Sequence, residues 1–122
     1  MILLDDFYSL IEKKASPGVV TARIAIKKTH RILEGHFPGL PVVPGVCMLQ
    51  IVREIMEVHI GRDLKIIASD NMKFLSVISP EQNPEVEAAI NYSEDGGNFL
   101  INATLFAGAT TFFKLKAILK EE

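Results

Sequence analysis

Between Val46 and His59 the chain has the length of a helix and almost no polar side. Val46, Cys47, Met48, Leu49, Ile51 and Val52 leave Gln50 as the only polar residue of the first two turns. A helix that is apolar all round must be covered all round. Gly61 follows as the predicted cap, with His59 near the negative helix end. At 122 residues the chain suffices for one core but not for two, so residues 1–122 read as a single domain. The flanking segments must therefore supply the cover.

Those segments carry strand patterns. Val20, Ala22, Ile24 and Ile26 alternate with Thr21, Arg23, Ala25 and Lys27, the period of a half-buried strand. Leu64–Ile78 is long and rich in β-branched residues. Val86, Ala88, Ile90 and Tyr92 alternate with Glu87, Ala89 and Asn91. Asp95-Gly96-Gly97-Asn98 predicts a hairpin turn into Phe99, Ile101, Ala103 and Leu105. Gly108 marks a second turn before Thr111, Phe113, Leu115, Ala117 and Leu119. At the other end, Leu4, Phe7, Tyr8, Leu10 and Ile11 have helical spacing and predict a short amphipathic helix over Leu4–Lys14, ending before Ser16-Pro17-Gly18. The expected architecture is α+β, with an antiparallel sheet of about five strands wrapped around a central apolar helix.

Composition excludes several classes. A net charge of −2, with no basic run or aromatic-rich stripe, argues against a nucleic-acid surface. Met1-Ile2-Leu3-Leu4 meets Asp5-Asp6 without a basic start, so no signal peptide is expected, and no apolar run reaches the length of a membrane span. Cys47 is the single cysteine and has no internal disulfide partner, which fits a cytoplasmic location. No metal or resident cofactor is expected.

The chemistry concentrates just before the apolar helix, in Gly35-His36-Phe37-Pro38-Gly39-Leu40-Pro41-Val42-Val43-Pro44-Gly45-Val46. Three of the six prolines and three of the eight glycines fall within Gly35–Gly45. Proline fixes φ and glycine permits unusual backbone shapes, so the loop can hold one stiff conformation. On spacing alone it is either a rigid strand-to-helix connector with an incidental histidine or a device that positions His36.

The order of residues resembles the active-site loop of the 3-hydroxyacyl-acyl-carrier-protein dehydratases, which have the hotdog fold. Lys73-Phe74 followed by Val77-Ile78-Ser79-Pro80 is similar to a second strand of that family, and the resemblance extends over residues 17–119. It implies that His36 is the catalytic histidine and that Phe37, Pro38, Gly45 and Val46 bind substrate, with the Gly45 amide as an oxyanion donor. It implies an acyl carrier protein as partner, whose phosphopantetheine enters with the substrate. It also implies at least a dimer, because such sites are completed between two protomers. The family's acid lies fourteen residues after the histidine, where this chain has Gln50.

An amide hydrogen-bonds a hydroxyl or a water but does not titrate as an acid. Dehydration of a 3-hydroxyacyl thioester needs a base for the Cα proton, a proton for the departing hydroxyl, and donors for the thioester oxygen. His36 is the candidate base, and it can return the same proton to the hydroxyl. Glu54, one turn beyond Gln50, is a second candidate acid but reads as a solvated or salt-bridged residue. Cys47 reads as a small core residue rather than a nucleophile, His30 as a surface residue, and His59 as a helix-end residue. Lys27, Lys28, Arg31, Arg53, Arg62, Lys65 and Lys73 are scattered candidates for a carrier-docking patch. The alternatives to a dehydratase are an impaired acyl-binding subunit paired with a Glu-bearing homologue, and a hotdog thioesterase.

Overall fold

In the computed structural model, which describes residues 1–34 and 41–122, the alternating segments become one antiparallel sheet. Its strands are β1 (Tyr8–Ser16), β2 (Val19–Ile26), β3 (Leu64–Phe74), β4 (Glu85–Asp95), β5 (Asn98–Ala107) and β6 (Thr110–Glu121). They lie in the order β1-β2-β4-β5-β6-β3. The six strands are one more than expected. Alternation puts one face of β2, β4, β5 and β6 inward, and the register aligns those faces across the sheet: Ile24 opposite Val86, Ile90 opposite Ala103, Leu105 opposite Phe113. The helix α2 (Gly45–Ile60) packs on that inner face through Met48, Ile51, Val52, Ile55 and Met56, all nearly inaccessible to water. A four-residue helix, α1 (Arg31–Glu34), precedes it.

The punctuation read from the sequence holds. Gly61 takes φ 79° and its N–H donates to the Glu57 carbonyl at 2.8 Å, closing α2 as a left-handed cap. Gly96 and Gly97 both have positive φ in the two-residue β4–β5 hairpin, as the twist of such a turn demands.

The N-terminal segment corrects the expectation. Leu4–Lys14 is not a helix: its second half is β1, hairpinned to β2 across Pro17-Gly18 with Ser16 opposite Val19. As an edge strand β1 is mostly exposed, so it has no reason to alternate, and its chance helical spacing carries no structural weight. Phe7 and Tyr8, two of the apolar residues in that spacing, are buried in the core instead. β3 is also shorter than expected, ending at Phe74, with Ile78 buried in the loop beyond it.

The sheet does not cover α2 completely. Val46 is 72% exposed, and Leu49, Gln50 and Arg53 continue the same partly open stripe along the helix. Beside it, on and just after the free edge of β3, Met72, Phe74, Leu75 and Val77 are exposed apolar residues.

Candidate active site

His36, Phe37 and Pro38 lie outside the described residues. The described part of the site begins at Val43, whose N–H donates to the Ile78 carbonyl at 2.9 Å and ties the end of the loop to the core. Pro44 then starts α2 without a side-chain cap. Its carbonyl accepts the Cys47 N–H at 3.0 Å and the Met48 N–H at 3.3 Å, whereas the Gly45 and Val46 N–H groups donate to no described residue. These two amides, at the positive end of a sixteen-residue helix, are oriented donors for a developing negative charge.

Gly45 is glycine for a steric reason. A Cβ there would meet the Phe74 ring at 2.8 Å. Phe74 is itself half-exposed and packs against Phe113 with ring centroids 5.0 Å apart. Val42, Val43, Gly45, Met48, Phe74 and Val77 line a largely apolar groove of about 470 Å³ at this end of the helix. The ring thus packs against the face of Gly45 that lacks a Cβ, and it forms one wall of the groove.

Gln50 stands on the open stripe of α2, and its Nε2 donates to Glu54 Oε2 at 2.7 Å. Glu54 departs most from its expected role. It is neither solvated nor salt-bridged but fully buried. Its Oε2 also accepts the Ile2 and Leu3 N–H groups, both at 3.0 Å, and its Oε1 accepts the Leu4 N–H at 2.8 Å and the Tyr8 hydroxyl at 3.0 Å. Burial alone would raise its pKa. The hydrogen bonds from Gln50, from the Leu3 and Ile2 amides and from Tyr8 outweigh that and hold the carboxyl below its usual range. A carboxylate so fully engaged has no proton to give, which removes Glu54 as a substitute acid. Burial and the same charge push the Tyr8 hydroxyl far up. They also raise the Cys47 thiol, in agreement with its reading as a core residue.

The other histidines are structural. His30 is buried, not a surface residue as expected. Its Nδ1 accepts the Ile32 N–H at 3.1 Å, so Nε2 carries the hydrogen and donates to Asp6 Oδ2 at 3.0 Å. Its ring stands edge-on to Phe7. His59 Nε2 meets the Tyr92 hydroxyl at 2.8 Å near the end of α2, and burial together with Lys13 lowers its pKa.

Of the scattered basic residues, the sheet gathers only Lys65 and Lys73, and it adds three that sequence reading passed over. Lys65 lies directly opposite Lys120, Lys73 opposite Lys114, and Asn71 opposite Lys116 on the outer face of β3 and β6. The spacing of Lys114, Lys116 and Lys120 along one strand was the available signal. Three of these lysines, with Asn71, Asn102 and Thr104, line a shallow depression of about 260 Å³. Asp70 approaches Lys116 at 3.8 Å. Among the described residues no group of three or more His, Cys, Asp or Glu side chains is arranged to hold a metal. No described helix is long and apolar enough to cross a membrane.

One antiparallel sheet wrapped on one apolar helix, whose uncapped N-terminus opens from a Pro/Gly loop, defines a hotdog domain. The chain belongs to the ApeI-like family: the family model described as ApeI dehydratase matches residues 12–109. The 3-hydroxyacyl-[acyl-carrier-protein] dehydratase FabZ of Rickettsia akari is 29% identical over 65 residues, and that of Rickettsia bellii matches equally. The match takes in 47% of this chain, and the chain spans about half the length, 45%, of these curated relatives. Among solved structures, the dehydratase heterocomplex ApeI:P from Xenorhabdus doucetiae superposes with a TM-score of 0.72 at 18% identity, covering 92% of this chain and 96% of that one. A thioesterase-assigned protein from Ralstonia eutropha shares the fold at 12% identity and a TM-score of 0.61, covering 88% and 82% of the two chains.

Proposed function

We propose that the protein dehydrates 3-hydroxyacyl thioesters carried on acyl carrier protein, giving trans-2-enoyl thioesters, with His36 as its single proton-transfer group. The observation that carries this reading is the pair of amides at Gly45 and Val46, nine and ten residues after His36, which donate to no described residue at the helix end where Gly45 lines an apolar groove. In this mechanism His36 removes the Cα proton while the Gly45 and Val46 amides stabilise the thioester oxygen as it gains charge. The C3–O bond then breaks, and the imidazolium returns the same proton to the leaving hydroxyl, so that water departs. Gln50 binds the hydroxyl without protonating it. The test is incubation with a 3-hydroxyacyl-carrier substrate and detection of enoyl product.

The open stripe of α2 at Val46, Leu49, Gln50 and Arg53, beside the exposed edge of β3, supports a dimer in which Gln50 of one protomer approaches His36 of the other. Light scattering at micromolar concentration is expected to give at least twice the 13.5 kDa chain mass. A stable monomer contradicts the shared site.

The lysine face of β3 and β6 supports docking of an acidic carrier, since like charges placed directly opposite one another weaken a strand pair unless something neutralises them. Lys73→Glu with Lys114→Glu should lower kcat/KM for carrier-borne substrate about tenfold or more and leave the pantetheine thioester unaffected. Equal effects on both substrates refute docking there.

A second reading rests on Glu54. With Gln50 in place of an acid and Glu54 locked as a carboxylate, the chain also suits an acyl-binding subunit whose His36 faces the carboxyl of a Glu-bearing homologue. That arrangement predicts low activity alone and recovery on mixing.

A further inference from the structure

Glu54 lies one helical turn beyond Gln50 and has no exposure to water, yet it accepts five hydrogen bonds. Four of them come from the N-terminal segment, which bends back over α2 through Asp5, a non-glycine residue at φ 66°. Three successive backbone amides and the Tyr8 hydroxyl thereby hold the carboxylate in one place. The fifth donor is Gln50 Nε2, at 2.7 Å.

That last contact has only one chemically acceptable orientation. A carboxylate only accepts hydrogen bonds, so the amide nitrogen of Gln50 must face it. Turning the amide over would set two oxygens against each other at the same separation. The Gln50 carbonyl oxygen is therefore directed away from Glu54, and it accepts no hydrogen bond from a described residue. Glutamine ordinarily turns either end of its amide to a partner, and here Glu54 fixes the orientation: the carbonyl oxygen and the second N–H hydrogen are what remain for other partners.

We propose that Glu54 is a positioning residue that fixes the Gln50 amide with its carbonyl turned away from the carboxylate, and that the Gln50 carbonyl so placed selects acyl chains bearing a 3-hydroxyl over unsubstituted chains. This rests on the dehydratase reading above and extends it to the source of substrate selectivity. The carbonyl takes the hydroxyl's own hydrogen and leaves the oxygen lone pairs free to meet the imidazolium proton. An unsubstituted chain laid over the same carbonyl takes it from water without giving it a partner, and a polar group desolvated without its hydrogen bond is penalised.

The test uses the full chain and two pantetheine thioesters of equal acyl length, one 3-hydroxylated and one saturated. In nuclear magnetic resonance spectra one of the two wild-type Gln50 side-chain amide protons should be shifted downfield and protected from exchange with water by its bond to the Glu54 carboxylate. Glu54→Gln should remove that shift and protection. The wild type should bind the hydroxylated thioester about tenfold more tightly, the effect of one good hydrogen bond. Gln50→Met and Glu54→Gln should bring the ratio near one. Tyr8→Phe removes a different donor from Glu54 and should lower stability while the ratio persists, which separates positioning from support of the fold. If Glu54→Gln does not fold, the Gln50→Met ratio and the wild-type amide signals still decide. Gln50 amide protons with the shifts and exchange of a free glutamine, or an unchanged ratio in Gln50→Met, overturn the proposal. A wild type that binds both thioesters alike overturns the hydroxyl contact alone. One that binds neither overturns the dehydratase reading and the contact with it.

Discussion

His36→Ala is expected to abolish turnover, with a loss of ~10³-fold or more. General acid–base catalysis by one residue is worth ~10²–10⁴-fold, and in the proposed mechanism both proton transfers fall on the same imidazole. Neither of the other candidates on α2 can take over: Glu54 is an engaged carboxylate and Cys47 a buried thiol with a raised pKa. His36→Asn should fail equally, because shape without proton transfer is insufficient. Folding and acyl binding should remain intact in both variants, so a thermal melt and a binding measurement belong beside the rate. Retention of most activity would move the base elsewhere.

Gln50→Glu is expected to raise dehydration by at least about tenfold, within the range for a recovered general acid. The structure adds a pH dependence to that gain. The new carboxyl would stand where Gln50 Nε2 now lies 2.7 Å from Glu54, and the neighbouring negative charge must raise its pKa. The protonated form is the useful one, so the gain is largest at low pH and disappears as pH rises through the raised value. Stability follows the same sign. A carboxyl whose folded pKa is raised binds more protons folded than unfolded, so the variant loses stability as pH climbs from the unfolded value, ~4.3, towards the folded one. A ratio of Gln50→Glu to wild-type rates that stays flat or rises with pH across that window would exclude the introduced carboxyl as the acid.

Much of the fold was legible because burial imposes a period. The strand patterns at Val20–Ile26, Val86–Tyr92 and Phe99–Leu105 reappear as β2, β4 and β5, and α2 exceeds the expected helix by one residue at each end. β1 was illegible because an exposed edge strand is under no such constraint. Local spacing suggested a helix, and pairing with β2 decided otherwise. The site divides in the same way. Gly45 and Gln50 were visible as departures from their surroundings. The burial of Glu54 depends on amides about fifty residues away, and that of His30 on Asp6, contacts that no local pattern records. The lysine face needed the β3–β6 register, which joins Lys65 and Lys73 to the alternating lysines of β6.

The most direct measurement of the central claim is one product assay on a 3-hydroxyacyl thioester bound to acyl carrier protein. It is run with the wild type, with Gln50→Glu, with His36→Ala, and with the wild type mixed with a Glu-bearing homologue. The account predicts a slow appearance of trans-2-enoyl thioester from the wild type alone, faster from Gln50→Glu, and none of it from His36→Ala. Free carrier thiol in place of enoyl product, or no enoyl product from any of the wild type, the Gln50→Glu variant and the mixture, would contradict it.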